Sequence, residues 1–175
     1  GPPGDLTRPA ELASAAAAGA HEIVRLEPLA EQVADTSGTV ESFLANLAEA
    51  VHGAAVHAVA FTSVAGARHG LALAPEPPGP GEVRGAAGRW LAERRAGGEL
   101  SDPVLLRHLL WIAVASGRPL QLHAGLGEPG PHTERTDPVL LTGFVRATAG
   151  LGTDLVLLHG YPYHRHAAHL AGVFS

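Results

Sequence analysis

The sequence contains no cysteine, which excludes disulfide bonds and thiolate-bound zinc and leaves histidine and carboxylate as the available metal ligands. It also contains no lysine, and its 12 basic residues are all arginine. With a formal net charge of −5 and no basic run, binding to nucleic acid or to an anionic membrane has little support. No apolar run approaches the roughly 20 residues of a membrane span, and no signal-peptide pattern opens the sequence. We therefore expect a cytoplasmic protein.

Methionine is absent as well, and the sequence stops at Ser175, directly after an apolar helical segment. Both features favour a piece of a longer protein. The 175 residues, 46% of them hydrophobic, are nevertheless enough for one domain with a core of its own.

Apolar segments of strand length alternate with segments of helical period along the chain. Strands are predicted over residues 21–26, 55–61, 119–123 and 154–159. Helices are predicted over residues 11–18, 28–34, 39–52, 85–95, 103–116, 138–149 and 165–174. This alternation indicates βαβ units and a parallel sheet, and the pattern alone leaves open whether the sheet is doubly wound or closed into a barrel.

Two histidines stand at the carboxyl ends of consecutive predicted strands. His123 is followed by Ala124 and Gly125, and His159 is followed by Gly160. Parallel α/β folds place their working groups at these strand ends, and a neutral imidazole can bind zinc or act as a general base. The chain has 11 histidines, however, so a structural histidine at a strand end is the competing interpretation.

Two further side chains are candidates for substrate contact. Arg68 lies just beyond the second predicted strand and is able to clamp a carboxylate, although a surface ion pair is the commoner role for such an arginine. Tyr161 lies in the loop that follows His159.

Several segments resemble the amidohydrolase-2 family, and in particular the branch that forms the amino-terminal domain of FluG-type proteins fused to glutamine synthetase. Residues 119–127 (PLQLHAGLG) resemble its fifth-strand motif, and residues 157–163 (LLHGYPY) its sixth strand. Residues 137–141 (DPVLL) resemble the helix start between those strands. Residues 25–31 (RLEPLAE) and 60–71 (AFTSVAGARHGL) are similar to the regions after its third strand and around its fourth.

This resemblance implies a (β/α)₈ TIM barrel with a divalent metal centre, zinc being the expected ion. It implies that His123 is a metal ligand, that His159 is a metal ligand or the catalytic base, and that Arg68 holds a substrate carboxylate. Thr62 stands where the family's fourth strand normally carries a lysine, so a carbamylated-lysine bridge between two metals is impossible. The family's first-strand histidine pair and late aspartate have no counterpart. We therefore expect residues 1–175 to be a partial barrel domain, about strands three to six.

The expected function is that of a metal-dependent hydrolase acting on a C–N or related bond of a small, carboxylate-bearing substrate. Half a barrel holds at most two of the three protein ligands usual for catalytic zinc, so this chain alone is expected to be inactive. One alternative is a non-hydrolytic relative of the decarboxylase or sugar-acid isomerase type. Another is a non-catalytic barrel domain attached to a glutamine synthetase module, which Thr62 favours. An oligomer is compatible with either.

Overall fold

The computed structural model describes residues 9–127 and 133–174, and four parallel strands form one sheet within these ranges. The strands are β1 (Ile23–Arg25), β2 (Ala60–Ser63), β3 (Leu120–Ala124) and β4 (Leu155–His159). They lie side by side in chain order, and each pair is parallel. The expected parallel sheet is thus confirmed. The expectations for residues 1–8 and for residues 128–132 of the loop after β3 fall outside the described residues.

Helices connect successive strands. They are α1 (Pro9–Ala16), α2 (Leu26–Thr36), α3 (Val40–Ala55), α4 (Ala65–Arg68), α5 (Pro80–Arg94), α6 (Pro103–Ala115), α7 (Thr142–Thr148) and α8 (His164–Phe174). Two short 3₁₀ segments cover Thr133–Arg135 and Pro138–Leu141. The caps follow from the sequence: the Asp102 carboxylate accepts the backbone N–H groups of Val104 and Leu105 at the start of α6.

Several predicted boundaries are wrong, and one of them is the start of α5, which lies at Pro80 and not at residue 85. The strand predicted over residues 55–61 begins only at Ala60, because Ala54 and Ala55 continue α3 and alanine favours a helix. The single helix predicted over residues 138–149 is a 3₁₀ turn followed by α7. Asp137 still caps that 3₁₀ turn, accepting the backbone N–H of Val139.

The helices cover one face of the sheet. Val24, Phe61, Leu120 and Leu155 stand level with one another in the strand register and pack into the helical core. That core contains Phe43 and Trp90, whose rings are 5.6 Å apart between centroids, together with the buried side chains of α6. Burial of this face supplies the main stabilisation of the fold.

The opposite face of the sheet is open within the described ranges. Arg25, Thr62, Gln121 and Val156 stand level on it, and Val156 is 37% exposed. The edges formed by β1 and β4 have no neighbouring strand among the described residues. The architecture shown is therefore a four-stranded parallel α/β sheet, and closure into a barrel is not seen in it. No described helix has the length and apolar character needed to cross a bilayer.

Helix α3 begins with a reciprocal cap. Thr39 Oγ1 accepts the backbone N–H of Ser42, and Ser42 Oγ accepts the backbone N–H of Thr39. We expect Thr39→Ala to lower the free energy of unfolding by about 1 kcal/mol in urea denaturation, and Thr39→Ser to lose much less because its hydroxyl keeps the bond. Equal losses in the two variants would show that the cap does not stabilise α3.

Candidate metal centre

His123 belongs to the open face of the sheet. Along β3, the side chains of Leu120, Leu122 and Ala124 are buried on the helix side, whereas Gln121 and His123 alternate with them and are half-buried. The predicted strand-end position of His123 is confirmed, since only Ala124 follows it in the strand. Its imidazole consequently stands at the carboxyl end of β3, on the face away from the helical core.

His159 reaches the same face only because its backbone leaves the regular strand conformation. The register pairs His123 with Leu158 and Ala124 with His159, so a regular strand would direct the His159 side chain toward the helices. Instead, His159 has φ of +66°, in the left-handed region, which redirects the side chain. A non-glycine residue there costs about 1–3 kcal/mol, and such strain occurs preferentially at functional sites.

The result is a direct contact between the two imidazoles. Nε2 of His159 lies 3.2 Å from Nδ1 of His123, and the ring centroids are 4.9 Å apart at 60°. In the absence of an ion, one nitrogen donates its proton and the other accepts it, depending on the tautomers. The structure thus brings together the two histidines that the sequence singles out.

Backbone hydrogen bonds join the loops that follow β3 and β4. Gly160 N–H donates to the Ala124 carbonyl at 3.3 Å, and Leu126 N–H donates to the Tyr161 carbonyl at 2.8 Å. Tyr161 itself is 68% exposed, so its side chain is accessible beside His159. Its assignment to substrate contact stays a prediction.

Arg68 is held by two carboxylates. Its Nη1 lies 2.7 Å from Glu99 Oε2 and 3.4 Å from Glu31 Oε1, and its side chain is mostly buried. Glu31 Oε1 also accepts the backbone N–H of Leu100, so the pair joins α2 to the segment before α6. Substrate anchoring by Arg68 stays a prediction, and these contacts favour the ion-pair alternative.

Glu27 is a buried acid that the sequence reasoning missed. It follows β1 and is fully buried, and its Oε1 accepts the Ser63 hydroxyl at 2.6 Å and the Val64 backbone N–H at 2.9 Å. Its Oε2 is buried without a hydrogen-bond partner. Burial raises the pKa of the Glu27 carboxyl, against the lowering effect of the Ser63 hydrogen bond. Its position directly after the strand predicted over residues 21–26, at the same end of the sheet as the two histidines, is the signal that could have drawn attention to it.

Thr62 also lies on the open face, where the register sets it between Arg25 and Gln121. Its Oγ1 is buried without a hydrogen-bond partner. A short, uncharged side chain therefore occupies this strand position.

The donor set fits part of a metal site. Two imidazole nitrogens meet at the carboxyl ends of adjacent strands, and neutral imidazole is a good ligand for zinc. Within residues 9–127 and 133–174, no group of three or more histidine, aspartate or glutamate side chains is placed to hold an ion. The described residues thus offer two nitrogen donors, fewer than the three protein ligands of a usual catalytic zinc site.

The buried Glu27 should make stability depend on pH. Its folded pKa lies above the ordinary value of 4.5, so the native state holds the proton over a range in which the unfolded chain has released it. The free energy of unfolding should therefore fall as pH rises from about 4.5 through the raised pKa. Glu27→Gln, which keeps an acceptor for both hydrogen bonds, should remove this fall in urea denaturation between pH 4 and pH 8.

The matched control for that substitution is the exposed Glu49, in α3. Glu49→Gln should leave the pH profile of the wild type unchanged. A profile that Glu27→Gln does not alter either would contradict the assignment.

The ion pairs of Arg68 should contribute to stability. Arg68→Ala leaves the mostly buried Glu31 without this partner and should lower the free energy of unfolding by about 1–2 kcal/mol, between the values for exposed and buried pairs. Arg84→Ala, which removes an exposed pair with Glu41, should change it by less than about 0.5 kcal/mol. Equal effects would argue that the Arg68 ion pairs have no structural role.

Comparison with known proteins gives one informative likeness. No protein-family model matches the sequence, and no curated protein matches it. Among solved structures, the chain is similar to a candidate metal-dependent hydrolase from Lactobacillus casei ATCC 334, with a TM-score of 0.83 and 29% sequence identity. The match covers 97% of this chain and 45% of that protein, so the chain spans less than half of its length. The likeness supports a similar α/β fold for this chain.

Proposed function

We propose that this chain is part of an amidohydrolase-type (β/α)₈ barrel, corresponding to about four of its strands, and that the complete barrel is a metal-dependent hydrolase. The four-stranded parallel sheet, helical on one side and open on the other, supports the barrel. The likeness to the Lactobacillus casei protein supports a metal-dependent hydrolase.

The contact between His123 and His159 is the observation that carries the proposal. Two nitrogens that bind one tetrahedral zinc at about 2.0–2.1 Å lie about 3.3–3.4 Å apart. The observed separation of 3.2 Å is close to that spacing. A strained backbone at His159 would be an unnecessary cost if the two rings had no common task.

In this proposal His123 Nδ1 and His159 Nε2 hold a divalent ion, zinc being the expected one. The bound ion would lower the pKa of a water molecule and polarise the scissile bond. If His159 does not hold the ion, its Nε2 is placed to take a proton from the attacking water. Tyr161, exposed beside His159, would contact a small substrate, and Arg68 would do so only by exchanging Glu31 or Glu99 for a substrate carboxylate.

The rest of the site would come from the rest of the barrel. Beside the β4 edge lies an open groove of about 850 Å³, lined by parts of α7, β4 and α8. Its apolar lining includes Val145, Leu157, Leu170 and Phe174. A further parallel strand and its helix would cover this groove, and further strands would bring the remaining ligands to the same end of the sheet.

A non-catalytic barrel domain is the second candidate. Thr62 replaces the lysine that the resembling family carries, and its buried hydroxyl has no hydrogen-bond partner. In addition, the described residues contain no group of three side chains placed to bind one metal ion. The first observation favours a barrel that has kept its fold and lost its chemistry, serving beside another module such as a glutamine synthetase domain; the second is compatible with both candidates.

The proposal is tested by zinc binding in equilibrium dialysis. We expect His123→Ala and His159→Ala each to weaken zinc binding at least tenfold, because each removes one of two ligands. The control is His57→Ala, which removes an exposed histidine before β2, at the opposite end of the sheet. It should bind zinc as the wild type does.

Wild-type affinity in both ligand variants would contradict the metal assignment. Zinc binding without hydrolysis in the longest natural form of the protein, across amide and ester substrates that carry a carboxylate, would favour the non-catalytic alternative.

A further inference from the structure

We infer that Gly127 is a positioning residue for His159: its backbone passes so close to the His159 imidazole that no side chain fits there, and this confines the ring to its contact with His123. The effect on metal binding rests on the function proposed above. The confinement of the ring does not, and it can be tested without any metal.

The close approach is direct. A Cβ placed on Gly127 would overlap Cδ2 and Cγ of the His159 ring and would lie 2.7 Å from the His159 Cβ. The last of these atoms cannot swing away like the tip of a flexible side chain, since it is attached to the backbone. Any residue other than glycine at position 127 must therefore displace His159 or the loop.

The backbone conformation does not explain this glycine. Gly127 is not among the residues with positive φ, whereas Gly125, two residues earlier, has φ of +66°. An alanine at position 127 would thus meet no penalty from a positive φ, and the three atoms nearest to its Cβ would all belong to the His159 side chain. Glycine is therefore required at position 127 because the His159 side chain leaves no room for a Cβ.

The loop cannot easily withdraw from the ring. Gly125 N–H donates to the Thr136 carbonyl, and Leu126 N–H donates to the Tyr161 carbonyl, both at 2.8 Å. A Cβ on Gly125 would overlap the Tyr161 carbonyl oxygen, so this part of the loop is packed against the loop after β4. The His159 ring is consequently held between the backbone at Gly127 on one side and His123 on the other.

The expected consequence of Gly127→Ala is that the His159 ring moves off His123. In the metal-free protein, the nuclear Overhauser effects between the two rings should disappear. Zinc binding in equilibrium dialysis should weaken at least tenfold. The control is Gly38→Ala, at an exposed glycine between α2 and α3 that also lacks a positive φ. A Cβ added there would have no atom within 4 Å. Gly38→Ala should therefore change neither the inter-ring Overhauser effects nor zinc binding.

A double-mutant cycle separates positioning from general loss of structure. If Gly127 acts through the His159 side chain, replacing His159 by glycine removes the clash, because it removes both the ring and the Cβ. Gly127→Ala should then lower the unfolding midpoint in the wild-type background and have no more effect than Gly38→Ala in the His159→Gly background. This readout holds even where the single variant is too unstable for spectroscopy at room temperature.

Persistence of the inter-ring effects in Gly127→Ala, or an equal loss of stability in both backgrounds, would overturn the inference. A wild-type protein that shows the inter-ring effects but binds no zinc would contradict the proposed function and leave the positioning role supported. Absence of the inter-ring effects in the wild type would contradict the positioning role.

Discussion

The parallel register between β3 and β4 is the constraint on which the candidate site depends. It sets Leu158 beside His123 and directs the next residue, His159, toward the helical side. Two histidines at the ends of neighbouring strands would then lie on opposite faces of the sheet. The left-handed backbone of His159 resolves this, and the strain it stores is offset by the hydrogen bonds that join the two loops, including Gly160 N–H to the Ala124 carbonyl.

A second support reaches His123 from the other side. Glu27 fixes the end of β2 by accepting the Ser63 hydroxyl and the Val64 backbone N–H. Helix α4 starts at that point and packs so closely on β3 that a Cβ on Gly66 would lie 2.8 Å from the His123 carbonyl oxygen. A chain of contacts thus leads from the buried Glu27 through α4 to His123, two strands away.

The sequence predicts the sheet and the strand ends well, because apolar runs and helical periods are local signals. His123 and His159 are found for the same reason. Their contact is not predictable in this way, since φ of His159 and the close approach of Gly127 depend on the register and on loop packing. The role of Arg68 depends on Glu31 and Glu99, which are distant in sequence, and the start of β2 is obscured by alanines that suit the end of α3.

The open face of the sheet is consistent with an enclosed site rather than a surface one. On this face, one step from His123 toward the amino ends of the strands, lie the polar side chains of Gln121, Thr62 and Arg25. The other face of the same strands is apolar. In the proposed barrel, this face would line the interior, and the carboxyl ends of its strands would carry the active site. The Thr62 hydroxyl, buried without a hydrogen-bond partner, is the kind of group that a neighbouring polar side chain or water would satisfy once that interior is closed. In the proposed barrel, completion of the sheet would therefore bring further ligands and a partner for this hydroxyl to the same end of the molecule.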